Sequence, residues 1–500
     1  MLSKIQALLA AATALWAFAG HAAPAEDEPI YRDVAIIGGG ASGSYAAVRL
    51  REDYNMSVIV IEKGDRLGGH VNTWVDQATG RGFEAGVQNY IDLPGAKEFF
   101  ARIGIPIANS TRAPNEQVYV DFTTGQRLAG FVPPQPADRT EALRRYLAFA
   151  EQYVPIMEPG WWNFPKDGAD IPPELLLPFR DIVDKYNLSA AVPQIFATTG
   201  FGMHDLMGSL ALWVIRSFNV DMVRVLLGIN AGFVPASRRN QDLYDAILAR
   251  LGKEAVVLSS TVATFAKAPR KSRMKILGVA NSATGEITHR FKVKAVLFTA
   301  APAPANIAPF ATFLSILPDL GPFAAFKFSA THVGVVSHRA LPLKTTLANT
   351  RSESQPARYP LSPPAHPFNA RFENYADSSV YRVMAVGDEN FTDPDRARAV
   401  VETSFEKMMA AGTIGTENNT TSTQDSRLEF KYWQPHGLVN AYIDAEDLKK
   451  GALGKIHDFQ AYYDFYWTGA AWSVHLTTGL WQFTDTVLER LVGDLKKIWG

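Results

Sequence analysis

The segment 33–73 constrains the fold of this chain more than any other part of its 500 residues. An apolar run at 34–37 leads into Gly38-x-Gly40-x-x-Gly43, and a helix is predicted over about residues 42–51. The first glycine permits a tight turn, the second lets a pyrophosphate approach the backbone, and the third lets the helix pack on the strand. The free N–H groups at the start of the helix attract the same phosphate. The pattern therefore predicts a dinucleotide-binding turn.

A second apolar strand, Val58–Ile61, is predicted to end at Glu62, nineteen residues after Gly43. A carboxylate at this place accepts hydrogen bonds from ribose hydroxyl groups and repels a 2′-phosphate, which argues against NADP. The residues of this unit predicted to contact the dinucleotide are Gly38, Gly40, Ala41, Ser42, Gly43, Glu62 and Lys63.

The chain after this unit continues in a pattern that a pure NAD enzyme does not need. EKGDRLGGH at 62–70 and GFEAGVQNY at 82–90 resemble motifs of the flavin-containing amine oxidoreductase family. In that family the arginine and paired glycines of the first motif wrap the diphosphate of FAD, and the second motif turns near the isoalloxazine ring. The resemblance implies FAD as the cofactor. Within the family, the fungal β-cyclopiazonate dehydrogenase-like proteins are the most similar.

The same resemblance implies further contacts with FAD. One is the backbone of Val262, and another is the N-terminus of an amphipathic C-terminal helix, predicted from about Gly479 with threonine caps. The Gly-Glu step that the family places before this helix is absent here. The residues implied are Arg66, Gly68, Gly69, His70, Gly86, Val87, Gln88, Val262 and Thr478.

The predicted fold class is α/β, with a Rossmann-type FAD-binding domain interleaved with a mixed α+β substrate domain. The FAD-binding domain is expected to be discontinuous, over 31–95, 236–310 and 451–500. The substrate domain is expected at 96–235, mostly helical, and at 311–450, richer in strands. Apolar spacing predicts helices over 140–153 and 206–229, and hairpin strands at 274–280 and 286–292 precede a separate apolar strand at 294–299.

The first 22 residues are predicted to be a secretory signal peptide. Lys4 precedes an apolar run over 5–19, and small residues suitable for cleavage follow it. The run is shorter than the ~20 residues that a membrane span needs, so no stable membrane insertion is expected. Glycosylation sequons fit a secreted glycoprotein. They begin at Asn55, Asn109, Asn187, Asn390, Asn418 and Asn419.

Composition excludes several classes of partner and linkage. The 49 basic and 50 acidic residues nearly cancel, which gives no reason to expect nucleic acid as a partner. The chain has no cysteine, and therefore no disulfide and no cysteinyl–flavin bond. No histidine spacing predicts a metal site.

The substrate is expected to be a small molecule in an aromatic, dry pocket beside the flavin. Candidates for its catalytic wall are Tyr90, Trp433 and Trp467, with His436 as a possible base, although each also fits a core position. The lysine that many amine oxidases carry near the flavin has only regional candidates here, Lys327 and Lys344.

Three functions remain open at this point. The first is a secreted FAD-dependent oxidoreductase that oxidises, desaturates or oxidatively cyclises an amine or specialised metabolite by hydride transfer to flavin N5, with O2 as the re-oxidant. The second is a redox-neutral double-bond isomerase of a polyunsaturated fatty acid or a similar apolar substrate. The third is a flavoprotein that binds ligand without catalysis.

Overall fold

The computed structural model describes residues 28–110, 115–199, 202–203, 205–268, 272–310, 321–351, 364–415 and 427–500. The predicted signal peptide and the sequons at 418 and 419 lie outside these residues. The strands are β1 (Ile30–Ile37), β2 (Val58–Ile61), β3 (Thr73–Val75), β4 (Gly82–Glu84), β5 (Tyr90–Ile91), β6 (Ile107–Asn109), β7 (Glu116–Asp121), β8 (Gln126–Arg127), β9 (Gly232–Pro235), β10 (Val256–Val257), β11 (Ser260–Lys267), β12 (Lys275–Asn281), β13 (Ile287–Phe298), β14 (Lys327–Ser337), β15 (Thr345–Asn349), β16 (Phe368–Asn374), β17 (Val380–Asp388), β18 (Glu429–Tyr442) and β19 (Phe465–Trp467).

Helices connect strands of the first sheet and make up most of the segment 136–226. They are α1 (Ala41–Glu52), α2 (Ala96–Ile103), α3 (Pro136–Glu151), α4 (Val154–Met157), α5 (Phe179–Lys185), α6 (Val192–Thr198), α7 (Ala211–Ser217), α8 (Val220–Leu226), α9 (Gln241–Leu251), α10 (Pro304–Ile307), α11 (Gly321–Ala324), α12 (Pro394–Ala410), α13 (Ala445–Lys449), α14 (Ala452–His457) and α15 (Thr477–Trp499).

The first sheet has the order β10-β2-β1-β13-β12-β11, with β19 also paired to β13. Strands β10, β2, β1, β13 and β19 run parallel to one another. All four residues of β2 are buried, as expected for a parallel strand that is covered on both faces. The register aligns Ile37 with Ile61 and with Phe298, and Phe298 with Trp467. Four strands therefore end at one edge, where an α/β sheet usually binds its ligand.

The second sheet has the order β18-β14-β17-β16-β15-β7-β8 and is antiparallel except for the pair β15 and β7. A separate hydrophobic cluster fills the space between this sheet and α12, around Phe372, Val401 and Phe405. Two smaller sheets, β3-β4 and β5-β9-β6, connect this part of the chain with the first sheet. The structure thus has the α/β class that the sequence predicts.

Three local predictions differ from the structure. The hairpin strand at 286–292 and the apolar strand at 294–299 are one continuous strand, β13. Its first part pairs with β12 and its second part pairs with β1. The helix expected over 206–229 is broken into α7 and α8, because Asn219 caps α8 by accepting a hydrogen bond from the N–H of Met222. The threonines of α15 lie inside its first turn, and the N-cap residue is Leu476.

Trp481 joins the C-terminal helix α15 to the first helix α1. Its indole N–H donates to the carbonyl of Ala41 over 3.2 Å. Its ring stacks on Tyr45 with centroids 5.2 Å apart and contacts Phe99 at 4.9 Å. This contact places the first turns of the two helices side by side at the carboxyl edge of the first sheet.

The surface features carry two further observations. Among the described residues, no helix is both long and apolar enough to cross a membrane. The described sequon asparagines, Asn55, Asn109, Asn187 and Asn390, are all exposed, so each could accept a glycan.

Replacing Trp481 by alanine should lower the free energy of unfolding by about 3–5 kcal/mol, because the side chain is only 3% exposed and leaves a large cavity. The urea midpoint of the purified protein measures this change. Trp499→Ala, at the exposed end of the same helix, is the control and should cost under about 1 kcal/mol. Equal losses in the two variants would show that α15 is not anchored through Trp481.

Candidate dinucleotide-binding site

The glycine turn after β1 leaves no room for larger side chains at two of its positions. Gly38 has φ +106°, and a Cβ atom on Gly43 would lie 1.9 Å from the carbonyl oxygen of Gly38. The hydroxyl of Thr299 donates to the same carbonyl over 3.0 Å. These contacts show why the first and third glycines of the motif are needed for the fold itself.

Gly40 is different, because the protein itself does not require a glycine there. Its φ of −71° suits any residue, and the nearest atom to an added Cβ is the Cα of Gly69, at 3.8 Å. Gly69, with φ +54°, faces Gly40 from the second glycine turn. The two glycines therefore approach each other closely at the start of α1, the kind of helix end at which a phosphate group is commonly bound.

Both helices at this edge begin without a side-chain cap. The N-cap residues are Gly40 for α1 and Leu476 for α15, and neither residue provides a side-chain hydrogen bond to its helix. Ser42 and Thr478 lie in the first turns, 4% and 1% exposed, and their hydroxyl groups have no hydrogen-bond partner. Uncapped N–H groups and unpaired hydroxyls at two adjacent helix N-termini fit an anionic or strongly accepting ligand.

Glu62 lies beside the glycine turn, as the sequence predicts. Its carboxylate accepts hydrogen bonds from the N–H groups of Gly39, at 2.6 Å, and Gly64, at 2.7 Å. Strand β11 begins next to it, since the N–H of Ser260 donates to the Glu62 carbonyl over 2.9 Å. Val262 is two residues further along β11 and is buried, while Lys63 is exposed. This corner fits the adenosine half of a dinucleotide.

Arg66 links the second glycine turn, through Asn72, to strand β18. Its guanidinium donates to Gln241 and to the side-chain oxygen of Asn72, both at 2.6 Å. The same oxygen accepts a hydrogen bond from the hydroxyl of Tyr432 over 2.8 Å. The sequence did not indicate Asn72 and Gln241, although Asn72 lies only two residues after the GGH motif. Both belong to the network that orders this turn.

His70 and His436 stack with ring centroids 4.7 Å apart. Nε2 of His436 lies 2.8 Å from the side-chain nitrogen of Asn72, which donates to it when the histidine is neutral. Burial lowers the pKa of His436 well below its ordinary value, and the neighbouring His70 and Arg66 lower it further. Burial also lowers the pKa of His70, although its side chain reaches water. Both rings are therefore uncharged at neutral pH.

The block at 82–90 forms the facing wall. A Cβ on Gly86 would lie 2.0 Å from the His70 carbonyl and 3.2 Å from Nε2 of His436, so only glycine fits between them. Val87 donates its N–H to the His70 carbonyl over 3.2 Å, and Gln88 folds back onto the carbonyls of Glu84 and Gly86. The predicted cofactor contacts of this block thus lie next to the histidine pair.

Glu84, in this wall, is a buried carboxyl group. One oxygen accepts hydrogen bonds from the N–H of Asn240 and the hydroxyl of Thr73, each at 2.7 Å, while the other has no partner. Burial raises the pKa of Glu84 to about 7. The group is therefore partly protonated at neutral pH.

Of the predicted catalytic residues, only His436 lies beside predicted cofactor contacts. Tyr90 and Trp467 are 0% and 1% exposed and pack in the core, against Phe100 and Phe298 respectively. Trp433 points away from Tyr432 and donates its indole N–H to the carbonyl of Pro394. The structure does not bring these three aromatic residues together with His436.

Neither lysine candidate lies at the site. Lys327 forms an ion pair with Asp444 at the surface, and Lys344 is exposed. The role of His436 as a base stays a prediction, and its Nε2 is already hydrogen-bonded to Asn72.

Comparison with known proteins gives relatives along nearly the whole chain. Residues 36–103 match the family model for an NAD(P)-binding Rossmann-like domain. A β-cyclopiazonate dehydrogenase of Aspergillus oryzae is 28% identical over 470 residues, which are 93% of this chain and 94% of the relative. The FAD-dependent oxidoreductase pigF of Monascus ruber is 28% identical over 92% of both chains. These relatives confirm the resemblance that the sequence motifs indicate.

Solved structures show the same fold. A CLA-producing fatty acid isomerase from P. acnes matches with a TM-score of 0.63 at 14% identity, over 94% of this chain and 99% of that one. A putrescine oxidase matches with a TM-score of 0.58 at 16% identity, over 93% of this chain and 100% of that one. The predicted fold, a Rossmann-type domain with an amine-oxidase-like arrangement, is confirmed.

Gly40→Val should abolish retention of the dinucleotide and leave the fold intact, because the added side chain enters the phosphate space and meets little protein. The ratio of visible to 280 nm absorbance after gel filtration measures retention, and circular dichroism measures folding. Gly130→Val, at an exposed glycine with open space around it, is the control. A Gly40→Val protein that keeps its dinucleotide would overturn the assignment of this turn.

Glu84→Gln should stabilise the protein at pH 8 but not at pH 4.5. The raised pKa means that the folded state keeps the proton while the unfolded state loses it, so this stability is present at low pH and is lost as the pH rises through about 7. Glutamine mimics the protonated acid, and the gain at pH 8 should reach up to about 3 kcal/mol. Thermal unfolding at the two pH values measures it, with Glu286→Gln on an exposed turn as the control for charge. A gain that is equal at both pH values would contradict the assignment.

Proposed function

We propose that this chain is a secreted FAD-dependent oxidoreductase that oxidises, desaturates or oxidatively cyclises a small organic substrate, with O2 as the re-oxidant. The pair of uncapped helix N-termini joined by Trp481 carries the proposal, since both first turns hold an unpaired buried hydroxyl. The enzyme class and the cofactor agree with relatives named FAD-dependent oxidoreductases from Monascus ruber and Cochliobolus heterostrophus.

The residues at the site divide into two groups that would hold FAD. Gly40, Ser42 and the start of α1 suit the diphosphate, and Glu62 suits the ribose of the adenosine half. Thr478 and the start of α15 suit the electron-rich edge of the ring system. Bound FAD would supply the redox chemistry that the side chains lack, by accepting a hydride equivalent from the substrate.

The chain's own contribution is to bind, orient and exclude water. Arg66, Asn72 and Tyr432 fix the second glycine turn through hydrogen bonds of 2.6–2.8 Å. The uncharged rings of His70 and His436 provide a wall that places no cation beside an oxidised carbon. The wall itself therefore does not oppose the positive charge that develops on a carbon losing hydride, and it contains no charged base.

A redox-neutral isomerase is the second candidate. The fold of the chain is also that of a fatty acid isomerase, over 94% of its length, so the fold alone does not separate the two reactions. In an isomerase the hydride returns to another carbon of the same substrate and no oxygen is consumed.

The decisive experiment follows flavin colour and oxygen uptake together. The purified protein should absorb near ~450 nm. An amine, fatty acid or specialised-metabolite substrate should bleach it without air, and air should restore the colour with release of hydrogen peroxide. A protein purified without any flavin would falsify the proposal. Product without oxygen uptake would establish the isomerase, and a yellow protein inert to all three substrate classes would favour a binding protein.

Secretion needs its own experiment. Expression of the full chain in a yeast host should deliver protein to the medium with an N-terminus near residue 20–23. Endoglycosidase treatment should lower its mass, because the described sequons are exposed. Retention in the cell with an intact N-terminus would refute the secretory assignment.

A further inference from the structure

Arg216 is a buried arginine that has no counter-ion among the described residues. It lies on α7, near the end of the apolar run LALWVIRSF, and is 2% exposed. Its Nε and Nη1 atoms have no hydrogen-bond partner among the described residues. Within the part of the chain that the structure describes, its guanidinium contacts only the ring of Trp213, whose centroid is 4.7 Å from Cζ.

The chain treats its other deeply buried arginines differently. Arg382 and Arg371 both contact the carboxylate of Glu373, Arg382 over 2.5 Å and Arg371 over 3.7 Å. An unpaired buried charge is strongly destabilising, because its lost hydration is not replaced. Burial lowers the pKa of Arg216 to about 9, which still leaves the guanidinium charged at neutral pH. An anion that is not part of the described chain would remove this cost.

The helix that carries Arg216 is linked by its neighbours to the loop before α15, on the side proposed to hold the flavin. Trp213 packs edge-on against Trp161 at 5.8 Å, and the indole of Trp161 donates to the carbonyl of Ala471. Ala471 lies in the loop 468–476, which leads from β19 into α15. His475, in that loop, has a pKa well below its ordinary value, because of burial first and then of the charges of Arg216 and His70.

The same loop presents further unpaired polar groups. Nε1 of Trp472 and Nε2 of His475 have no partner, like the hydroxyl of Thr478 at the start of α15. Two kinds of ligand are therefore indicated around one loop. FAD would use the helix start for its ring and the start of α1 for its diphosphate, so the anion for Arg216 has to come from elsewhere.

We infer that the substrate carries an anionic group, a carboxylate or a similarly acidic oxygen acid, and that Arg216 binds it. This inference rests on the proposed function and names the substrate class. The guanidinium would anchor one end of an otherwise apolar molecule among Trp213, Trp161 and Trp472. The remainder of the substrate would extend toward the wall formed by His70 and His436.

The test uses purified, flavin-loaded protein and two pairs of probes, benzoate with benzamide and octanoate with octanamide. Each pair has one shape and differs in charge. Binding is measured from the change in visible flavin absorption. In the wild type at least one carboxylate should bind about 10- to 100-fold more tightly than its amide. Arg216→Met should abolish this preference, Arg216→Lys should keep part of it, and Arg224→Met is the matched control.

Arg224 lies on the next helix and is paired with Glu151 and Asp221, so its replacement should leave the preference unchanged. Arg216→Met should also keep its FAD and melt at or above the wild-type temperature, because an unpaired buried charge is removed. Should Arg216→Met misfold, Arg216→Gln in the same assay decides.

Three results would overturn the inference. They are equal or undetectable binding of acid and amide by the yellow wild type, a carboxylate preference that survives in folded Arg216→Met or Arg216→Gln, and a folded Arg216→Met that has lost FAD. The last would assign Arg216 to the cofactor. A colourless wild type defeats the proposed function instead, and is recognised before any probe is added.

Discussion

The close approach of helix α1 to the end of β1 is the contact on which the rest of the site depends. Gly43 lies against the carbonyl of Gly38, and the hydroxyl of Thr299 donates to that carbonyl. Gly469 is packed on Thr299 in turn, since an added Cβ would lie 2.7 Å from its carbonyl oxygen. Segments hundreds of residues apart therefore meet with backbone against backbone. A side chain at Gly43 or Gly469 would separate these segments and displace both helix N-termini.

The electrostatic character of the site follows from what this contact brings together. Two helix N-termini and two arginines, Arg66 and Arg216, supply positive potential. The two histidines of the wall are uncharged and add nothing to this potential, while Glu84, which is partly protonated, opposes it only in part. A polyphosphate cofactor and an anionic substrate both suit this balance. Glu62 is the exception, and its carboxylate is already occupied by two backbone N–H groups.

The sequence predicted the parts of the molecule that local geometry determines. The strand, turn, helix and acid of residues 30–62 match the prediction within a few residues, because each glycine has one physical reason to be there. The prediction divides strand β13 in two, because local sequence does not show that β12 and β1 pair with different parts of one strand. Residue type alone does not distinguish an aromatic site residue from a core residue, and only the tertiary packing shows that Tyr90 and Trp467 are buried in the core. The sequence prediction does not include Arg216, although a single charge within an apolar helix is a pattern that can indicate a buried functional residue.

In the proposed reaction the first sheet serves the cofactor and the helical segment serves the substrate, and specific hydrogen bonds hold these parts together. The first sheet and its two helices suit any reaction that needs a flavin. The helical segment is fastened to both other parts, by the Trp213 indole on the carbonyl of Ile443 and the Trp161 indole on the carbonyl of Ala471. Arg216 lies three residues after Trp213 on the same helix α7. Changes in this segment can therefore alter which substrate is held, while Gly43 and Thr299 keep the cofactor side unchanged.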